Sequence, residues 1–184
     1  MIEHLWPFLS FFFATLIATV IVETLLNARW SPHYFSKGIS IYHHTVTMPP
    51  NIGMTPTAEA IESNLPDSGW YPPILVRKIG ENQFAFREKM IHFGIGYTPL
   101  MHGCLMCDPY SGRIEIRGYA NWFPMIFSCY FLMLSLSMPL DSLGVIFPLF
   151  LFGLFWFIYS IQRKRFEQVA AAVQKMWERG RTNG

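Results

Sequence analysis

HGCLMCDPYSGRIEIRGY, residues 102–119, decides how this chain is read. Two runs of strand-forming residues flank DPYSG at 108–112, where Asp, Pro, Ser and Gly are turn formers, so a β-hairpin is expected. A chemical reading competes, because Cys104 and Cys107 form a CxxC with His102 just upstream, a spacing that suits a metal or a redox disulfide. Strand geometry separates the two. Side chains alternate along a strand, which puts His102 and Cys104 on one face and Cys107 on the other. Thiols on opposite faces cannot be bridged without breaking the strand. A structural zinc site needs four ligands, usually as two pairs, and the chain has three Cys with no second CxxC and no HxxxH. His102, Cys104 and Cys107 are therefore expected to be strand residues first, and a metal or redox set only if Cys107 lies in a bulge.

Outward from this hairpin the same pattern recurs. ILVRKI (74–79), a GEN turn at 80–82 and QFAFREKMIH (83–92) predict another hairpin, with Phe84 and Phe86 on one side and Arg87 and Lys89 on the other. The strand before the 108–112 turn is expected to start as early as GIGYTPLM, residues 94–101. ISIYHHTVTM (39–48) alternates and is read as a strand, after SPHYFSKG (31–38), read as a loop. PPNIGMTP (49–56) is a linker. Thr55 is the expected cap of a short helix with Pro56 at its first position, and Ala58, Ile61 and Leu65 share one face of it. Pro66 and the turn at 67–69 end that helix, and Pro72 and Pro73 keep the chain extended. Residues 28–120 thus predict a small α+β domain whose antiparallel sheet buries one face.

This domain interrupts a chain built for lipid. Of its 184 residues, 52% are apolar and only 14% charged, against about 25% charged in soluble proteins. Three apolar runs, Leu5–Leu26, Trp122–Leu140 and Leu143–Ile161, each approach the roughly 20 residues that cross a bilayer core. The first is a poor signal peptide: MIEH lacks a basic residue, the apolar stretch is long, and no A-x-A follows. The expected fold class is an α+β membrane protein of three transmembrane helices, with an antiparallel-sheet domain between helices one and two. The expected segments are helix one at 5–27, the domain at 28–120, helix two at 121–140, helix three at 143–161 and an amphipathic helix at 162–180. Arg163, Lys164 and Arg165 follow the third run, while the N-terminus and the link at 138–142 lack basic residues. A cytoplasmic tail then places all 14 Lys and Arg on the cytoplasmic side of a bacterial inner membrane, with the N-terminus outside.

YFSKGISIY (34–42), FREK (86–89), YTPLMHG (97–103) and NWFP (121–124) together resemble small bacterial membrane proteins. The resemblance covers most of the polar middle and implies this architecture, with no activity attached.

Other chemical motifs are weak. His33, His43, His44, His92 and His102 are scattered, with His43 and His44 pointing oppositely on a strand, and no HExxH or Glu-x-x-His pattern accompanies them. There is no nucleophile elbow, phosphate loop or dinucleotide fingerprint. Charges are mixed without a basic stripe, which argues against nucleic acid. No cofactor is expected, and a non-catalytic role is.

Two helical faces say more. Thr15, Thr19, Glu23 and Asn27 recur every four residues along helix one, beside Ser10, Ala14 and Ala18. Small and polar residues allow close helix approach in a bilayer, and an ionisable group such as Glu23 normally faces protein or the headgroups there. The partner of this face is either the chain's own helical hairpin or another subunit. In the tail, Phe166, Val169, Ala170, Val173 and Trp177 form an apolar stripe, with Arg165, Glu167, Lys175 and Glu178 elsewhere on a helix continuing the third run. Headgroups, the sheet domain or a partner must cover that stripe, and protein contact is favoured. These faces predict a non-catalytic accessory or scaffold subunit docking on a larger membrane protein complex. The alternatives are a module binding a lipid or apolar ligand on the Phe- and Met-rich sheet face and, more weakly, a Cys/His redox or metal protein.

Overall fold

The stretch at 102–119 folds as its alternation predicts. In the computed structural model, which describes residues 5–47, 56–67, 69, 71–92, 95–96, 101–137 and 142–182, it forms β6 (His102–Asp108) and β7 (Arg113–Tyr119), with Gly112 left-handed in the turn at φ 62°. The GEN turn joins β2 (Ile74–Gly80) to β3 (Gln83–Glu88). β3 pairs with β6, and β1 (Ser40–Thr47) closes on β7, giving a five-stranded antiparallel sheet in the order β1-β7-β6-β3-β2. The fold is α+β. β4 (Ile91–His92) and β5 (Ile95–Gly96) form a separate two-stranded pair, so the strand expected over 83–92 is broken after Glu88.

The structure corrects two local expectations. SPHYFSKG is not a loop: Pro32–Ser36 form a short helix, α2, with Pro in the first turn, where its missing N–H costs nothing. The cap of α3 (Ala58–Glu62) is Thr57, whose Oγ1 accepts from Ala60 N–H at 3.2 Å, so Pro56 precedes the cap instead of opening the helix. The spacing argument survives the shift, since Ile61 is buried and Ala58 and Leu65 pack beside it. The linker at 49–56 up to Thr55, the link at 138–141 and the strand start at 97–100 lie outside the described residues.

The described residues fall into two compact units, one within 1–25 and 121–161, the other within 26–120 and 162–184. The second is built around the sheet. Register puts Val76, Phe84, Phe86, Leu105, Ile114, Ile116 and Val46 on one face, and they form the core with Ile61 and the tail residues Phe166, Val169, Ala170, Val173 and Trp177. These tail residues belong to α5 (Ser142–Thr182), a single 41-residue helix that joins the third apolar run to the tail. The tail's apolar stripe is therefore covered by the chain's own sheet.

Phe166 packs where β7 has no side chain: a Cβ on Gly118 would lie 2.4 Å from its ring. Next to it, Arg165 is 4% exposed, ion-paired with the equally buried Glu88 at 3.4 Å and donating from Nη2 to the Pro72 carbonyl. Arg165, off the apolar stripe, is buried nonetheless, because an arginine stem packs like a hydrocarbon when a carboxylate meets its head.

The opposite face of the sheet is also covered in part. Tyr34 and Phe35 of α2 lie over Ala85, and Arg87 sits 4.4 Å from the centroid of the Trp30 ring. Trp30 ends α1 (Leu5–Ala28) at φ 53°, with Trp30 N–H bonding Asn27 O and Ser31 N–H bonding Leu26 O. This is the pattern in which glycine usually takes the left-handed position. Stacking on Phe35 and the Arg87 guanidinium offset the strain of a side chain there. Phe84 through Glu88 are all buried, so the expectation of a sheet with one buried face fails along β3.

The first unit contains α1 up to residue 25, α4 (Trp122–Ser137) and the first half of α5. Phe12, Leu16 and Tyr130 form its buried cluster, with Phe12 stacked on Tyr130. Glu23 is 2% exposed, and its carboxylate accepts from Trp122 N–H at 2.5 Å and Phe123 N–H at 3.0 Å. Those are orphan donors of the first turn of α4, and Pro124 contributes none, so an anion at this positive helix end is well matched. Among the described residues one stretch, Ser10–Ala28, is long and apolar enough to cross a membrane, a property shared by signal sequences and some soluble core helices. The described residues of the second apolar run form α4, Trp122–Ser137.

Candidate functional site

Three successive segments at one end of the sheet create an opening in the second unit. α2 ends at Ser36, Gly38 turns the chain at φ 155°, and β1 then pairs with β7. A Cβ on Gly38 would meet the Tyr119 ring at 3.3 Å, so this turn lies close against that ring. The result is an open cleft of about 490 Å³ lined by Ser36, Lys37, Gly38, Ser40, His43, Arg117 and Tyr119.

Its floor is a hydrogen-bonded chain. The Tyr119 hydroxyl donates to the Ser36 carbonyl at 3.0 Å and lies 3.7 Å from Cys104 Sγ. Since that hydroxyl has one proton and gives it to the carbonyl, the thiol is the donor in the second contact. Burial, opposed by the hydrogen bond to Tyr119, raises the Cys104 thiol above its ordinary value. Burial, reinforced by Cys104, pushes Tyr119 up to about 12. Cys104 is thus a protonated donor at neutral pH. Behind it His102 stacks on Tyr34 at 4.3 Å and meets Phe35 edge-on, while Asn27 Nδ2 donates to the Tyr34 hydroxyl at 3.3 Å.

The rim is charged. Arg117 donates through Nη2 and Nε to Glu115 Oε2 at 2.6 and 3.2 Å, and this bond raises the guanidinium above its ordinary value. His43 Nε2 lies 3.9 Å from the same oxygen. Cross-strand pairing of His43 with Arg117 holds these side chains on one face.

The structure separates the CxxC residues. Cys104 pairs with Ala85 and Arg117 on the α2 side, whereas Cys107 pairs with Ile114 on the core side. Both are free and buried, and burial pushes Cys107 to about 11. His102 shares the Cys104 face. Among the described residues, no group of three His, Cys, Asp or Glu is placed to hold a metal ion.

On α1 the two stripes part company. Glu23 and Asn27 are buried, and Thr15 and Thr19 bond the carbonyls of Phe11 and Thr15 on their own helix. Ser10, Ala14 and Ala18 are exposed. Sequence reasoning missed Lys37, Ser40, Arg117 and Tyr119. No local spacing joins residues 37 and 117, and only the pairing of β1 with β7 does so. Compared with family models, curated proteins and solved structures, the chain matches none of them.

Proposed function

We propose that this protein is a non-catalytic, integral membrane accessory subunit. It crosses a bacterial inner membrane three times, with the sheet domain and tail in the cytoplasm, and docks through α1 on a transmembrane helix of a larger membrane protein complex. The observation carrying this reading is the surface of the first unit. All the large hydrophobics exposed among the described residues belong to it except Ile39, Tyr71 and Tyr110. Phe11, Phe13, Ile17, Ile21, Leu149, Phe150, Trp156 and Phe157 suit lipid. Within that surface Ser10, Ala14 and Ala18 leave a shallow strip where a second helix backbone can approach. Glu23 is taken by α4 and the tail stripe by the sheet, so docking rests on this strip.

Co-purification in a mild detergent tests it. Ala18→Leu fills the strip and should reduce retention of the partner chain, while Thr19→Val, which keeps the shape of a half-buried residue, should retain it. Retention of no partner by wild type, or equal retention by Ala18→Leu and wild type, ends the docking reading.

A further inference from the structure

We infer that the cleft beside Tyr119 is a binding site for a phosphate-bearing anion. The first argument is charge. Lys37 and Arg117 line it together with His43, and no lining residue is a carboxylate. The neighbouring acid, Glu115, is held by Arg117 at 2.6 Å. No ion pair to Lys37 occurs among the described residues, and its ammonium is exposed on the rim.

The second argument is the kind of hydrogen bonding offered. Lys37 brings three donors and the Arg117 Nη1 group is not used by Glu115, although Arg117 also meets the Tyr119 hydroxyl, while the Ser40 hydroxyl already donates to the Tyr42 carbonyl at 3.2 Å. Phosphate oxygens present acceptors to such groups, and charge-assisted bonds to them are the strong kind. The Tyr119 hydroxyl is committed to the Ser36 carbonyl, so its ring serves as floor. A volume of about 490 Å³ exceeds that of one phosphate and leaves space for an organic substituent over Gly38 and that ring.

The third argument is position along the chain, and it rests on the proposed membrane reading of α1. Ser31 N–H to Leu26 O at 3.1 Å, Trp30 N–H to Asn27 O at 3.2 Å and Asn27 Nδ2 to Tyr34 Oη at 3.3 Å tie α2 to the end of α1. Lys37 follows Ala28 by a span that cannot exceed about 30 Å even when extended. If α1 ends at the membrane surface, a phospholipid headgroup is within reach of the cleft. A soluble phosphate ester offers the same chemistry.

The test uses the full chain in a neutral detergent. Three probes are titrated: inorganic phosphate, phosphatidylglycerol, and diacylglycerol with the same acyl chains and no phosphate. Binding is read by native mass spectrometry and by the shift in melting temperature. Wild type should bind a phosphate probe saturably and diacylglycerol not at all. Lys37→Ala, an exposed change that leaves the fold intact, should weaken binding about tenfold, the loss of one charge-assisted bond. Glu115→Gln should tighten it by releasing Arg117, a gain that misfolding cannot mimic. Phosphatidylglycerol without inorganic phosphate assigns a headgroup, and the reverse assigns a soluble ester. Absence of binding to both phosphate probes, equal binding of diacylglycerol, indifference to Lys37→Ala or weakening by Glu115→Gln overturns the site. Release of the chain from membranes by alkaline carbonate removes the membrane reading separately and leaves the inorganic phosphate result standing.

Discussion

Phe166 stacks on Tyr42 at 5.2 Å between centroids and meets Phe86 edge-on at 5.9 Å, so its ring cannot swing away from β7. A methyl group on Gly118 must then displace strand or helix. Gly118→Ala should cost about 1–3 kcal/mol, the usual range for overpacking, and Phe166→Leu in the same chain should recover part of it. Thermal melting of the two variants and their combination checks this, and additive losses would show that the two positions are uncoupled. Cys107 gives a second residue-scale consequence. Burial moves its thiol from 9.0 to about 11, and Tyr119 moves from 10.0 to about 12. A group whose folded value is raised stabilises fully below its unfolded value and loses that contribution as pH climbs through the folded one. Stability should therefore hold to about pH 9 and fall between pH 9 and 11. Cys107→Val should make the early part of that fall shallower, as measured by denaturation at fixed pH steps.

At the scale of elements, the docking of the tail on the sheet combines an apolar stripe with one buried ion pair. Arg165→Met takes the guanidinium away from the buried Glu88 carboxylate and should cost about 3–5 kcal/mol. Replacing both residues by Met removes the buried charge as well and should restore most of the loss. Chemical denaturation of both singles and the double variant reads this directly. The stripe itself was legible, because Phe166, Val169, Val173 and Trp177 recur at helical spacing, and so were both hairpins, from alternation bounded by DPYSG and GEN. The cover was not. Helical spacing states that a face is apolar, but β1 pairing with β7, which completes the sheet beneath it, is a long-range event. The burial of Arg165 and Arg87 was hidden for the same reason: a charge in a sequence does not show the carboxylate or indole that will meet it. α2 escaped because five residues are too few for a periodic signal, and the cleft because Lys37 and Arg117 meet only through the fold.

For the whole molecule, the sheet domain and the tail form one unit within 26–120 and 162–184. Single cysteines placed at Glu81 and Glu178, in an otherwise cysteine-free chain, should therefore report the same side of a membrane. Under the proposed topology both resist a membrane-impermeant maleimide in intact cells and react on lysis. Labelling of one site but not the other before lysis would contradict three spans with a shared cytoplasmic unit. The cap on α4 also has a consequence in time. Glu23 and the Trp122 N–H it accepts from are 99 positions apart. Chains grow at roughly 5–20 residues per second, so the carboxylate is made about 5–20 s before its partner exists. For that interval the nascent chain carries an uncapped acid at the end of its first apolar helix. Water or headgroups must hold it there until the polar domain has been made, which makes completion of the helical hairpin a late step in biogenesis.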